Sequence, residues 1–436
     1  MHCKIGSGNT ETDRTFPESR LMQTNYDVIV IGGGPAGCAA ATLVAEAGWT
    51  TLLVEREKVP RFHVGESLMP ETYWTFQRLG ILEKMQQSEF VRKASVQFVA
   101  SSGKESQPFF FKKHDPRECS TTWQVERAEF DKLLFDNARE KGAECHDETR
   151  VLDVRVADDR VDGVRLRTAD GDEREVTAKV VVDATGQQAL LGRRMGVLVE
   201  NPDLKKAAIW NYFRGGRRDP GEHGGATLIF HTRSKSSWFW YIPLRDDVTS
   251  VGVVADSDYL LRGRGRPEEA FQEELENCPA LSGRLSNAEV LDPFRIAKEF
   301  SYHTTQHAGE GWVLIGDAWG FIDPIYSSGV YFALRSGELA ADCIIEGLRT
   351  GDVSAAQLGQ WTNDFGAGTK WIRKLVDAYY TNEFSFGSFL REHPVYQGNL
   401  TDLLIGRIFH ADAGKIFDDM QPAIERAKAS GPTMSS

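Results

Sequence analysis

The chain reads as an α/β protein with three parts. These are a Rossmann-like dinucleotide-binding domain, a mostly antiparallel β-sheet domain interleaved with it, and a C-terminal helical subdomain. Two widely separated segments and one compositional shift lead to that reading. Tyr26 to Gly37 runs as an apolar strand into Gly32-Gly33-Gly34-Pro35-Ala36-Gly37. Gly311-Trp312-Val313-Leu314-Ile315-Gly316-Asp317-Ala318 repeats the strand-into-glycine pattern nearly three hundred residues later. Between them lie long strand-rich stretches, and after Val353 the pattern becomes helical and aromatic-rich. One nucleotide-binding domain must therefore be assembled from several pieces.

The first element is the strand opening at Tyr26. In the turn that follows, Gly32 permits the tight bend, Gly34 lets the backbone approach a pyrophosphate, and Gly37 lets helix pack on strand. Ala39 to Ala47 continues as a helix whose N-terminal N–H groups face the phosphates. Thr51 to Val54 is the second strand. Glu55 closes it about twenty residues beyond the turn, where a carboxylate binds ribose hydroxyls. A helix opens at Arg127 and runs to about Lys141. Val151 to Val176 alternates through charged turns as a β-meander, and Lys179 to Gly186 is another buried strand ending in a small-residue turn. A helix is expected near Pro267 to Glu276, and another from Ser328 to about Leu348. The resulting assignment gives 26–100, 125–190 and 301–350 to the nucleotide-binding domain and 101–124 and 191–300 to a substrate domain. Residues 351–436 form the helical subdomain.

Composition narrows the partners. With 51 basic against 63 acidic residues the formal charge is −12, which favours neither nucleic acid nor an anionic membrane surface. No apolar stretch reaches the length of a membrane span. The six cysteines are scattered, without metal-ligand spacing, and read as reduced thiols of a cytoplasmic protein. Residues 1–25 are polar and lack the apolar centre of a signal peptide. They read as a disordered leader, with Met22 an alternative start, and the tail 428–436 reads as disordered too.

Three further segments carry a family resemblance: His63-Val64-Gly65-Glu66-Ser67-Leu68-Met69-Pro70, Trp238-Phe239-Trp240-Tyr241-Ile242-Pro243, and Phe321-Ile322-Asp323-Pro324-Ile325-Tyr326-Ser327-Ser328-Gly329-Val330. Together they resemble the flavin-dependent halogenases, of the phenol- and pyrrole-directed branch, within the FAD-dependent aromatic hydroxylase superfamily. The most specific marker is Trp-x-Trp-x-Ile-Pro, and the likeness covers roughly residues 26–430.

The resemblance implies that Gly32, Gly34, Gly37 and Glu55 bind the FAD diphosphate and ribose. It implies that Ser67 and Arg127 reach the cofactor and that Asp317 holds its ribityl chain. Ser328 and Gly329 match a turn whose N–H groups hold chloride or bromide at a helix N-terminus. The mechanism it implies passes through a flavin hydroperoxide to hypohalous acid, which Lys93 relays to an aromatic carbon. Lys93 also has a plainer reading, as an exposed lysine at the start of strand 95–99. Trp238 and Trp240 share one face of a strand; they are either a wall separating substrate from flavin or ordinary core. For the C-terminal aromatics, core packing is favoured over a cap on the substrate cavity.

The tryptophan-specific halogenases carry glutamate where this chain has Tyr326, so an electron-rich phenol or pyrrole is the expected substrate, free or carrier-tethered. A local basic patch, Lys112, Lys113 and Arg117, leaves carrier docking open. No second glycine-rich fingerprint lies between Arg127 and Gly311, so reduced FAD would come from a separate reductase. The rival readings on the same fold are an FAD-dependent monooxygenase and a geranylgeranyl-reductase-like oxidoreductase. A non-catalytic flavin-binding protein is a third.

Overall fold

The computed structural model describes residues 22–430. Most of the expected leader and tail lies outside that span; of the leader's last residues, Asn25 already opens the first strand.

The first sheet is built on the strand Asn25–Ile31, whose Val28 to Ile31 are continuously apolar because both faces of that stretch are covered. It pairs in parallel with Thr51–Val54 on one side and Glu173–Asp183 on the other. Trp312–Leu314 joins the far edge of Glu173–Asp183, so the two halves of the nucleotide fingerprint meet in one sheet. Glu144–His146 closes the opposite edge. The charged turns of 151–176 do make a meander, with Arg150–Ala157, Arg160–Arg167 and Glu173–Asp183 pairing antiparallel. The helices Pro35–Glu46 and Gly329–Thr350 pack closely because Gly337 stands against Ala36, where a Cβ would collide with its carbonyl.

The second sheet has the order Gly320–Phe321, Arg295–Thr304, Leu198–Arg214, Val248–Asp256, Ser237–Pro243, Thr227–His231, Ser95–Val99, Phe109–Phe110. Its pairs are antiparallel except Thr227–His231 with Ser95–Val99, which run parallel. Two strands therefore depart from the expected boundaries. Ser95–Val99 was placed with the nucleotide-binding segment 26–100 but belongs to the second sheet. Arg295–Thr304 crosses the boundary at residue 300 and also lies wholly in that sheet. Alternation marks a strand but does not say which sheet it joins, and that choice is made by distant partners.

Both faces of the central strand Ser237–Pro243 are buried. Phe239 and Tyr241 pack with Phe271 and Leu275 under the helix Pro267–Glu276. Trp238, Trp240 and Ile242 face the other way, into a core shared with the C-terminal helices Thr362–Tyr380, Gln397–Ile405 and Phe417–Ser430.

Gly252 keeps the Trp face in place. In register it lies between Trp240 on one neighbouring strand and Trp210 on the other. A Cβ there would collide with the Trp240 ring and sit 2.6 Å from the Trp210 Cβ. Gly252→Ala should cost about 1–3 kcal/mol through overpacking. Denaturant unfolding monitored by tryptophan fluorescence checks this, and an unchanged midpoint would mean the indoles move aside freely.

Candidate active site

The glycines of the first turn divide into two roles. Gly32 has φ +112° and a Cβ on it would strike the Ala184 carbonyl; a Cβ on Gly37 would strike the Gly32 carbonyl. Both are required by chain packing. Gly34 is different: φ is −85°, and the nearest atom to a Cβ would be Arg61 Nη2 at 3.6 Å. Among the described residues, nothing crowds a side chain there. The space kept open belongs to a cavity of about 530 Å³, which Gly32 and Gly34 line and Gly37 does not. Gly37 therefore serves the cofactor only by seating the helix. An open cradle at the start of the helix Pro35–Glu46 fits a dinucleotide pyrophosphate.

Around this cradle stands an alternating chain of charge that the sequence reading only partly anticipated. Glu55 Oε2 accepts the Gly33 N–H at 2.9 Å and pairs with Arg61 Nε at 3.3 Å. Arg61 Nη1 reaches Asp131 at 2.7 Å, and Asp131 accepts from Arg127 Nε at 2.8 Å and Nη2 at 3.0 Å. Burial alone would raise the Asp131 pKa, but the Arg127 and Arg61 guanidiniums outweigh it and hold the carboxyl below its ordinary value. The Arg127–Asp131 spacing of four on one helix was a readable signal for this pair. Arg61 had no such signal. Arg127 Nη1 also donates to the Val64 carbonyl at 2.7 Å, fixing the loop that leads to Ser67. Its charge, with burial, lowers the pKa of His63 to about 3, so that ring is neutral.

Asp317 lines the same cavity, and burial raises its pKa to about 6 against the opposing pull of Arg127. From here the cavity runs on past Pro324, Ser327 and Gly329 to Trp210, Trp238 and Trp240. One space thus joins the dinucleotide cradle to the paired tryptophans. The helix Gly329–Thr350 starts at its wall. The first backbone bond of that helix is Phe332 N–H to the Ser328 carbonyl, so the preceding N–H groups have no partner within the helix. Of the expected pair, Gly329 lines the cavity and Ser328, which precedes it, has a buried side chain; Ser327, at φ +57°, also lines the cavity.

Lys93 is not exposed. It is 4% accessible, its Nζ donates to Ser67 Oγ at 2.8 Å and to the Leu68 carbonyl at 2.9 Å, and no carboxylate forms an ion pair with it among the described residues. Burial pulls its pKa down to about 7. Ser67 lines the cavity, and its hydroxyl bonds Lys93 and Thr227.

The comparisons with known proteins agree with this geometry. A protein-family model described as an FAD binding domain matches residues 25–353. A 1H-pyrrole-2-carbonyl-[peptidyl-carrier protein] chlorinase of Pseudomonas fluorescens is 31% identical over 93% of this chain and 94% of its own. The corresponding brominase of Pseudoalteromonas luteoviolacea is 31% identical over 92% and 97%. The solved structure of the flavin-dependent brominase Bmp2 superposes with a TM-score of 0.84, at 30% identity, over 93% of this chain and all of that one.

The chain belongs to the flavin-dependent halogenases.

In this halogenase Trp238 and Trp240 belong both to the cavity lining and to the core. They line the cavity and also pack into the C-terminal helices, with Trp238 Nε1 donating to Tyr380 Oη at 3.0 Å and Tyr380 Oη donating to Asp323 at 3.0 Å. Trp240 Nε1 donates to Ser250 Oγ at 3.1 Å. Among the described residues nothing beyond Ala333 lines the cavity, so the C-terminal aromatics are packing, not a cap. Tyr326, where the tryptophan-specific members have glutamate, turns away from the cavity and donates to the Leu375 carbonyl at 3.2 Å. Two acids that sequence reasoning passed over do line it. Burial raises the pKa of Asp323 to about 6, and burial raises that of Glu66, whose carboxyl accepts from Tyr212 Oη at 2.8 Å. Of the basic patch, Arg117 is paired with Asp115 at 2.6 Å. No helix among the described residues is long and apolar enough to cross a membrane.

The two glycine roles are separable. Gly34→Val should fold normally and lose FAD, because its side chain occupies the phosphate path. Gly37→Ala should lower stability as well, through collision with the Gly32 carbonyl. Thermal unfolding together with flavin fluorescence titration distinguishes them, and full FAD retention by Gly34→Val would refute the cradle.

Proposed function

We propose that this halogenase chlorinates or brominates a small electron-rich ring, pyrrolic or phenolic, held at the tryptophan end of the cavity. The observation that carries this reading is the buried amine of Lys93 beside a cavity that joins the FAD cradle to Trp238 and Trp240. The names of the relatives, which act on a carrier-bound pyrrole, favour the pyrrolic choice and a carrier-tethered substrate.

When bound, reduced FAD supplies hypohalous acid from O₂ and halide. Gly34 and the helix behind it hold the diphosphate, Glu55 takes the ribose, and Arg127 and Asp317 line the path of the remainder. The N–H groups at Gly329, which have no partner within the helix, attract the halide through the positive end of the long helix. Trp238 and Trp240 keep the ring away from the flavin edge, so that an oxidant must travel to reach it. Lys93 receives that oxidant. Kept from water, its amine is neutral in a substantial fraction at neutral pH, and it either hydrogen-bonds hypohalous acid or takes its halogen. The ring needs little further activation, which accords with a tyrosine turned away at position 326. With no second nucleotide fingerprint in the chain, the reductant arrives as reduced FAD from a separate reductase.

The decisive test is chlorination of pyrrole and phenol panels, free and carrier-bound, with reduced FAD in the presence and absence of chloride. Lys93→Ala should keep O₂-dependent flavin oxidation while chlorination falls by about 10²-fold or more. Lys93→Arg should fail nearly as badly, since a guanidinium stays protonated. Oxygenated product formed without chloride, by wild type and Lys93→Ala alike, would make the chain a monooxygenase.

A further inference from the structure

Lys93 does not itself line the cavity; two hydroxyls that do, Ser67 and Thr227, stand between. Lys93 Nζ is 2.8 Å from Ser67 Oγ, and Ser67 Oγ is 2.8 Å from Thr227 Oγ1. Gln124 Nε2 donates to the same Thr227 Oγ1 at 2.9 Å and to the Gly225 carbonyl at 3.0 Å. These groups come from four separate segments and all four residues are buried.

The direction of the chain follows from which atoms can only donate and which can only accept. The Gly225 carbonyl can only accept, so it fixes the Gln124 amide with Nε2 toward it and toward Thr227. Thr227 Oγ1 therefore receives one proton from Gln124. An ammonium at Lys93 can only donate, so Ser67 Oγ accepts from it and turns its own proton to Thr227. Thr227 then accepts twice, and its remaining proton points to the cavity that it lines.

We infer that Lys93, Ser67 and Thr227 form a directional proton relay between the buried amine and the cavity, with Thr227 its outer end and Gln124 setting its polarity. This rests on the proposal that Lys93 is the working amine. In the step, an N–H bond of the ammonium breaks and its proton passes to Ser67 Oγ. The Ser67 proton moves to Thr227, and the Thr227 proton goes to water in the cavity. One proton leaves, no electrons are exchanged between molecules, and the amine keeps its lone pair. Reversal of the three transfers returns the proton.

The relay connects the amine to the cavity that Ser67 and Thr227 line, so its proton can reach cavity water through two hydroxyls. Only Ser67 Oγ and the Leu68 carbonyl accept from Lys93 among the described residues, and the Phe111 ring, 5.9 Å away, covers another side. No charged group shifts its titration; burial is the cause, and it brings the pKa to about 7, where both protonation states are populated at neutral pH.

Thr227→Val removes the hydroxyl at nearly constant shape, and Thr227→Ser restores it. The measurements are the halogenation rate across the pH range of the Lys93 titration, KM for halide, and FAD affinity by flavin fluorescence. Thr227→Val is expected to lower the maximal rate about 10²-fold, with KM for halide and FAD affinity unchanged. Thr227→Ser is expected to recover most of that rate and the wild-type pH profile. A wild-type rate and pH profile in Thr227→Val would overturn the relay, and so would Thr227→Ser failing as badly as valine. Lys93→Ala, assayed alongside, separates the two ideas. If it loses halogenation while Thr227→Val does not, the relay alone is wrong; if it keeps halogenation, the role given to Lys93 is wrong.

Discussion

A primary amine held out of water without a counter-ion is the constraint on which the site depends. A charge taken into the interior is normally compensated by an opposite charge, and the arginines of the dinucleotide cradle follow that rule through Glu55 and Asp131. Lys93 does not. It has one hydroxyl and one carbonyl, both neutral, so desolvation acts on it unopposed and draws its pKa from 10.5 to about 7. Such a depression costs the folded state several kcal/mol whenever the amine is charged. The sign is that of a base with lowered folded pKa. The cost is largest at low pH, shrinks as pH rises above the folded pKa of about 7, and vanishes near the unfolded value. A position that served packing alone would be better filled by an apolar side chain.

The two sheets place this amine. Ser95–Val99 begins two residues after Lys93 and runs parallel to Thr227–His231, so the lysine and Thr227 enter the same neighbourhood from segments far apart in the sequence. Beside Thr227–His231 lies Ser237–Pro243, whose tryptophans form the far wall. The first sheet contributes the cradle through Gly32, Gly34 and Asp317. A hydrogen-bonded link, Trp238 to Tyr380 to Asp323, ties the tryptophan wall to the turn that leads into the helix at Gly329. Wall and helix start are therefore hydrogen-bonded into one network, although their segments are far apart in the chain.

What was legible in the sequence was local. The glycine-rich turn, the acid closing the second strand and the strand before Asp317 each carry their spacing within one supersecondary unit, and the first sheet assembled as those patterns required. The paired tryptophans were legible as one face, because alternation on a strand is also local. What could not be read depended on partners from elsewhere. Ser95–Val99 was assigned to the wrong sheet because its partner lies some 130 residues on. The bonds of the Ser67 hydroxyl to Lys93 and Thr227 were not readable, because those partners come from distant segments. Ser327 carried no signal of its own, since nothing in consecutive serines announces that one of them takes a left-handed backbone. The choice between an exposed and a buried Lys93 was a question of tertiary burial, which neither its own strand nor neighbouring Arg92 could settle.

The account turns on the state of one amine, and that state is measurable directly. With lysine side chains labelled with ¹³C at Cε, NMR titration of the FAD-loaded protein resolves the Lys93 signal, assigned by its loss in Lys93→Arg. The account predicts that this resonance titrates near pH 7, well apart from the other lysines. Titration near the ordinary value of 10.5 would show a hydrated, permanently charged amine, and would contradict it.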